Sequence, residues 1–256
     1  MSKNLPTKKP TKNLPTKAVF RAMLAATTLG FASTSASAAS LQAAPVLIEM
    51  RADAPSATIA IRNTGTAPFA AQTRVFRWKQ AGGKETLEET GDVVTSPPIT
   101  TLEPGASYSI RVVRVSKQPL AKEEAFRVLV DQLPDAANQR SGTVALVMRH
   151  SIPVFLMPPA ASGPKLSWSV ATRNGRLVLR AQNSGDRRVR LSQVSVKLAN
   201  GKTISFGNGL LGYALAGSTM EWLSPGTVDG ASVGAGGRIT ATTELGPIDT
   251  SASAAR

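Results

Sequence analysis

Beyond its first 38 residues the chain holds no run of ten or more residues with the apolar spacing of a helix. Apolar and polar positions alternate instead, over short stretches broken by Gly, Pro, Asn and Asp. About a third of an ordinary globular chain is helical, so this pattern confines the fold to the all-β class. Pro45 to Met50 reads as a first strand. Ser56 to Arg62 puts Ala57, Ile59 and Ile61 on one side and Thr58, Ala60 and Arg62 on the other, and Asn63-Thr64-Gly65 then signals a turn. From Phe69 to Trp78, Gln72, Arg74, Phe76 and Trp78 share one parity, while Thr73, Val75 and Arg77 share the other. The polar stretch Lys79 to Glu89, with Gly82-Gly83, reads as a loop. In Val93 to Thr101 the pair Pro97-Pro98 places the segment at a sheet edge or at a switch between sheets. Tyr108 to Val115, Phe126 to Leu133 and the long, mainly apolar stretch Thr143 to Met157 complete seven strands with regular turns, the pattern of an immunoglobulin-like sandwich.

Residues 158–164, PPAASGP, read as a linker, and a second β set follows it. That set comprises Leu166 to Val170, Arg176 to Gln182, Val189 to Leu198, Lys202 to Phe206, Gly212 to Ala216, Met220 to Leu223 and Arg238 to Thr243, with Asn174-Gly175 as a hairpin turn. The expected organisation is two immunoglobulin-like β-sandwich domains, 39–157 and 165–247, joined by an elbow at 158–164. A small, polar tail over 248–256 is expected to fray.

Residues 1–38 read as a secretory signal. A basic region precedes the apolar run 22–32, and Ala36-Ser37-Ala38 supplies the small residues of a cleavage site. The apolar run is too short to span a bilayer, so no stable membrane insertion is expected. Six Lys or Arg and no acid lie in this segment, so its removal takes the formal charge from +14 to +8. That excess favours acidic partners. The remaining basic residues are mostly scattered singly through alternating segments, without a long basic run or a Gly-aromatic motif, which argues against nucleic acid. The absence of cysteine excludes disulfides, Cys-based zinc sites and cysteine nucleophiles.

Catalysis needs convergent titratable groups. His150, the one histidine, lies in a strand-like stretch without acids at ligand spacing and reads as structural. Gly207, Gly209 and Gly212 lack the strand–loop–helix setting of a phosphate loop. The chain is therefore read as a non-enzyme without metal or cofactor. A secreted β-sandwich adhesion or ligand-binding module is the alternative to the reading that follows.

Five stretches of the first half stand in a specific order: Gln72 to Trp78, Ser96-Pro97-Pro98-Ile99, Leu102-Glu103-Pro104-Gly105, Phe126 to Pro134 and Ser151 to Phe155. The second half continues with Asn183-Ser184-Gly185, Gly209 to Tyr213, Ala216-Gly217-Ser218 and Trp222. Through these, residues 41–247 resemble the periplasmic chaperones of the chaperone–usher pilus pathway, most of all the archaic branch that serves spore-coat-U-type subunits. The resemblance implies donor-strand complementation. A pilin subunit lacking its last strand is completed by the chaperone's G1 strand, the last of the first domain, and is passed to an outer-membrane usher. Main-chain hydrogen bonds supply affinity, and alternating side chains fill the groove. It places Val144, Leu146 and Met148 on the donor face, although a strand apolar on both faces also fits an ordinary core strand.

One departure stands out. The better-known branch of the family anchors the subunit's terminal carboxylate with an Arg in the first strand and a Lys late in G1. Here the aligned places hold Leu47 (or Val46) and Pro153, as suits the archaic branch. Arg111 and Arg114 are the candidate anchors, because guanidinium pairs well with carboxylate, and Arg111 is preferred. Solvated strand arginines are the competing interpretation of both.

Overall fold

The alternation becomes strands throughout. The computed structural model describes residues 41–134, 146–229 and 233–255. Among them the first lobe contains β1 (Leu41–Ala44), β2 (Ile48–Arg51), β3 (Ser56–Asn63), β4 (Phe69–Ala81), β5 (Lys84–Glu89), β6 (Val93–Ser96), β7 (Ile99–Leu102), β8 (Ser107–Arg114), β9 (Glu124–Gln132) and β10 (Arg149–Met157). One sheet runs β1-β3-β8-β6, and the other runs β2-β10-β9-β4-β5 with β7 added on β4. Ile59 and Ile61 of β3 and Ile110 and Val112 of β8 meet Phe126, Val128 and Val130 of β9 and Ile152, Val154 and Leu156 of β10 in one buried core. Each such side chain contributes about 1.5–3 kcal/mol on burial.

The segment read as one first strand is two. β1 pairs antiparallel with β3, and after Pro45 the chain crosses to the other sheet, where β2 runs parallel to β10. Pro97-Pro98 marks the second crossing: β6 pairs with β8 in one sheet and β7 with β4 in the other. The stretch Lys79 to Glu89 is not a loop but a hairpin, with β5 paired to β4 and the turn made by Gly82 at φ +59° and Gly83 at φ +77°. Every residue of β5 is exposed, so no face of the strand needed to be apolar and alternation was absent from its sequence. Of the stretch read as one strand from Thr143, residues 149–157 form β10, residues 146–148 carry no strand assignment and residues 143–145 lie outside the described residues.

The second lobe contains β11 (Leu166–Arg173), β12 (Arg176–Asn183), β13 (Val189–Leu198), β14 (Thr203–Ser205), β15 (Leu210–Ala214), β16 (Thr219–Thr227), β17 (Gly237–Thr243) and β18 (Gly246–Ala254), in the order β14-β13-β17-β18-β11-β12-β16 with β15 on β13. Its core includes Trp168, Val170, Leu177, Leu179, Leu191, Val196 and Ile239. Asn174 and Gly175, both at positive φ, turn β11 into β12. The expectation that the chain frays after Pro247 fails. Through β18, residues 246–252 pair with β17, and Ser253 and Ala254 pair with β11. Only Ile248 and Ala252 of β18 reach the core, too few to mark a strand in the sequence, yet its main chain closes the gap between the two halves of the sheet.

The two lobes repeat one corner. Asn63 Nδ2 donates to the carbonyls of Ala67 and Leu102, while its Oδ1 accepts from Gly65 N–H. Asn183 does the same with Arg187, Ala214 and Gly185. Gly185 is required there for a further reason: a Cβ would lie 2.2 Å from the Gly163 carbonyl oxygen, where the segment between the lobes passes.

Candidate functional site

Both lobes belong to one compact unit. Trp78, Ala125 and Phe155 of the first lobe and Tyr213 and Leu215 of the second form a buried apolar cluster between them. Trp78 meets Tyr213 edge-on at 5.4 Å, and Phe155 lies 5.6 Å from Tyr213. Gln80 fastens the cluster at its rim. Its Nε2 donates to the Tyr213 carbonyl at 2.7 Å, and its Oε1 accepts from Leu215 N–H and Ser218 Oγ, each at 2.9 Å. Arg188 of the second lobe stacks 3.6 Å from the Phe155 ring centroid, donates to Glu123 at 2.7 Å and reaches Glu49. Burial pushes the Glu123 carboxyl up, and Arg188 opposes that shift without cancelling it.

Beside this junction a cleft opens. Val46, Leu47, Glu85, Arg127, Ser151 and Pro153 line it from the first lobe, and Arg190, Ser192 and Leu210 to Tyr213 line it from the second. Arg127 lies on the face of β9 turned away from the core, its guanidinium 3.8 Å from the centroid of the Trp78 ring. Nη1 reaches the Ser151 carbonyl only at 3.5 Å, and Arg127 makes no ion pair among the described residues. Burial pulls its pKa down, and the field of Glu85 works the other way. A partly desolvated guanidinium without a carboxylate gains by receiving one, and its planar fork binds carboxylate through two parallel hydrogen bonds.

Of the residues expected on the donor face, Leu146 and Met148 lie just upstream of β10. Val144 is outside the described residues. Leu146 is 92% exposed. Met148 is half-buried and packs against the first lobe's core, and its carbonyl accepts from Gln132 N–H at 2.9 Å. β10 is paired to β9 over Arg149 to Leu156, whereas β2 covers its other edge only over Val154 to Met157. The edge from 149 to 153 therefore has no strand beside it among the described residues, and it leads from Leu146 to the cleft. Asp131 pins the root of this ribbon, accepting from Arg149 and, at 2.7 Å, from Arg74.

Arg111 and Arg114 are not brought to the cleft. Both lie on β8, in the sheet that does not contain β10. Arg111 is exposed beside Thr58 and Ser96, and Arg114 donates to the Gln118 carbonyl. Periodicity assigns a residue to a face of its strand but not its strand to a sheet. Val46, Leu47 and Pro153, the positions aligned with the anchor of the better-known branch, do line the cleft, and the cation on their wall is Arg127. Its signal in the sequence was one arginine inside the otherwise apolar run Ala125 to Val130. His150 is half-buried and bonded through Nε2 to the Leu41 carbonyl at 2.9 Å. Among the described residues no cluster of acids or histidine could hold a metal ion, and no helix is long and apolar enough to cross a membrane.

Known proteins share this architecture. Residues 40–162 match the family described as "Pili and flagellar-assembly chaperone, PapD N-terminal domain". An uncharacterized fimbrial chaperone of Escherichia coli K12, YcbF, is 27% identical over 162 residues, which cover 60% of this chain and 65% of that protein. Among solved structures, the complex of CsuC with the tip adhesion subunit CsuE, from the archaic chaperone-usher Csu pili of Acinetobacter baumannii, matches with a TM-score of 0.66 at 24% identity, over 85% of this chain and all of that one. The Salmonella enterica SafA pilin in complex with the SafB chaperone matches with a TM-score of 0.56 at 20% identity, over 83% and 96%. These likenesses agree on two β-sandwich domains, in a family that is not one of enzymes. By its matched domain the first lobe is similar to the pilus-assembly chaperones, and the fold of both lobes is the one those solved chaperones share.

Proposed function

We propose that this protein is a periplasmic chaperone that binds pilus subunits by donor-strand complementation and delivers them to an outer-membrane usher. The carrying observation is the open edge of β10, with Leu146 92% exposed at its upstream end. An unpaired edge with an exposed leucine is an aggregation hazard unless a partner takes it. A subunit lacking one strand is such a partner, since it needs main-chain hydrogen bonds and apolar side chains at alternate positions. Val144, Leu146 and Met148 form the donor face, and Met148 is shared with the chaperone's own core. The archaic assignment draws support from Pro153 and from the likeness to a chaperone of archaic Csu pili. Export through the segment 1–38 accounts for the location.

In this reading Arg127, not Arg111 or Arg114, anchors the subunit's terminal carboxylate, with Arg190 as a second cation on the opposite wall. Co-expression with the small secreted β subunits encoded beside its gene is expected to yield soluble one-to-one complexes. Leu146→Glu places a charge in the subunit groove and is expected to abolish those complexes while thermal unfolding of the free chaperone is unchanged. Normal capture by this variant removes the donor-strand assignment. Arg127→Gln loses a charge-assisted pair worth about 1.5–3 kcal/mol, roughly 10- to 150-fold in affinity. Arg111→Ala is expected to bind as wild type, and the reverse ranking of the two variants would return the anchor to β8.

A further inference from the structure

Two exposed apolar side chains line the cleft from opposite lobes: Val46, 75% exposed, on the first and Leu210, 59% exposed, on the second. A regular ladder does not put Leu210 there. The pairing of β13 with β15 slips between Leu191 and Ser192, and that of β13 with β17 slips between Ser192 and Ser195. Inside this double bulge Gln193 adopts φ +52°, a conformation that non-glycine residues keep only where their surroundings impose it. The surroundings do so. Gln193 N–H donates to the Gly209 carbonyl at 3.0 Å, and its Oε1 accepts from Thr242 Oγ1 at 3.0 Å. Bulges of this kind re-aim neighbouring side chains beside functional sites. The result is a wall on which exposed Leu210 stands with Arg190 and Ser192, in a cleft lined from the other lobe by Val46 and Arg127.

The two kinds of surface require different things of an occupant. Arg127, without an ion-pair partner among the described residues, calls for an anion. Val46 and Leu210 leave apolar area in water that only an apolar group can cover. A carboxylate and an apolar group a few ångströms apart occur together at the end of a polypeptide whose last residue is apolar. We propose that the wall of the second lobe, through Leu210, selects clients whose carboxyl-terminal residue is apolar, seating that side chain between Leu210 and Val46 while the carboxylate pairs with Arg127. This rests on the anchor reading above and adds to it a specificity carried by the second lobe.

The test uses the full mature chain and three fluorescein-labelled pentapeptides, read by fluorescence anisotropy. One is Ser-Gly-Ser-Gly-Phe with a free carboxylate, one ends in Ser with a free carboxylate, and one is the Phe peptide with a terminal amide. The Phe acid is expected to bind about tenfold tighter than the Ser acid. Leu210→Ser, a change at an exposed position, is expected to erase that preference and leave the affinity for the Ser acid intact. Equal binding of the two acids by the wild type, or a preference that survives Leu210→Ser, overturns the proposal while leaving the anchor standing. Acid and amide bound alike, or none of the three bound, overturns the anchor itself.

Discussion

Asp131 shows how much one residue can determine at the start of β10. Burial alone would raise its pKa, but hydrogen bonds and charge from Arg149 and Arg74 outweigh burial and hold it below the usual carboxylate range. A carboxyl with a depressed folded pKa stabilises the fold fully above its unfolded value of about 3.9, and that stability drains away as pH falls through the folded value. Asp131→Asn is therefore expected to lower the urea midpoint at pH 7 and to flatten the loss of stability below about pH 4. Parallel acid limbs for wild type and variant would show that the carboxylate carries no such linkage. The corner asparagines are legible in a different way. Asn63-Thr64-Gly65 reads from sequence as a turn, but that its side chain bonds two carbonyls, one of them 39 residues away, does not. Asn63→Ala leaves those groups unpaired and is expected to cost about 1–3 kcal/mol in equilibrium unfolding.

Among the elements, buried strands were readable and exposed ones were not. β3 and β8 alternate because one face of each packs on a core, and β9 and β10 read as apolar runs because both of their faces are covered. β5 and β18 escaped notice because a strand can be held largely by its main chain, which composition does not record. The β4–β5 turn illustrates what such an element does. Gly82 and Gly83 both have positive φ, yet open space surrounds Gly82, whereas a Cβ on Gly83 would lie 2.6 Å from Glu221 Cγ. Glu221 is held by Arg173 and Arg180, and its N–H donates to the Gly83 carbonyl, so the hairpin tip rests on the second lobe. Both Gly→Ala changes carry the left-handed backbone penalty of about 1–2 kcal/mol. Gly83→Ala is expected to lower the Tm further than Gly82→Ala, and equal shifts by calorimetry would mean that the tip bears no load between the lobes.

At the scale of the whole molecule, the two lobes are joined by the aromatic cluster, the Gln80 clamp, the Arg188 ion group and the hairpin tip. The ion group is costly to bury and strongly destabilising if halved. Gln80 is the cleaner probe, because removing it unpairs the Leu215 N–H and the Tyr213 carbonyl without stranding a charge. Gln80→Ala is expected to split thermal unfolding into two transitions, one for each lobe, and to loosen the cleft that lies between them. A single unshifted transition would show that the clamp does not couple the lobes.

Alternation, turn residues and the absence of helical spacing determined from the sequence alone that the chain is all-β and has two sandwiches. These are local consequences of backbone geometry and of burying one face of a strand. β10 was legible for the same reason, as an apolar run with two apolar faces. Which sheet each strand joins was decided only in three dimensions, and with it the placing of Arg111 and Arg114 away from the cleft and of Arg127 and Leu210 within it. Strand pairing and bulges are settled by contacts between residues far apart in the chain, and neither composition nor periodicity encodes them.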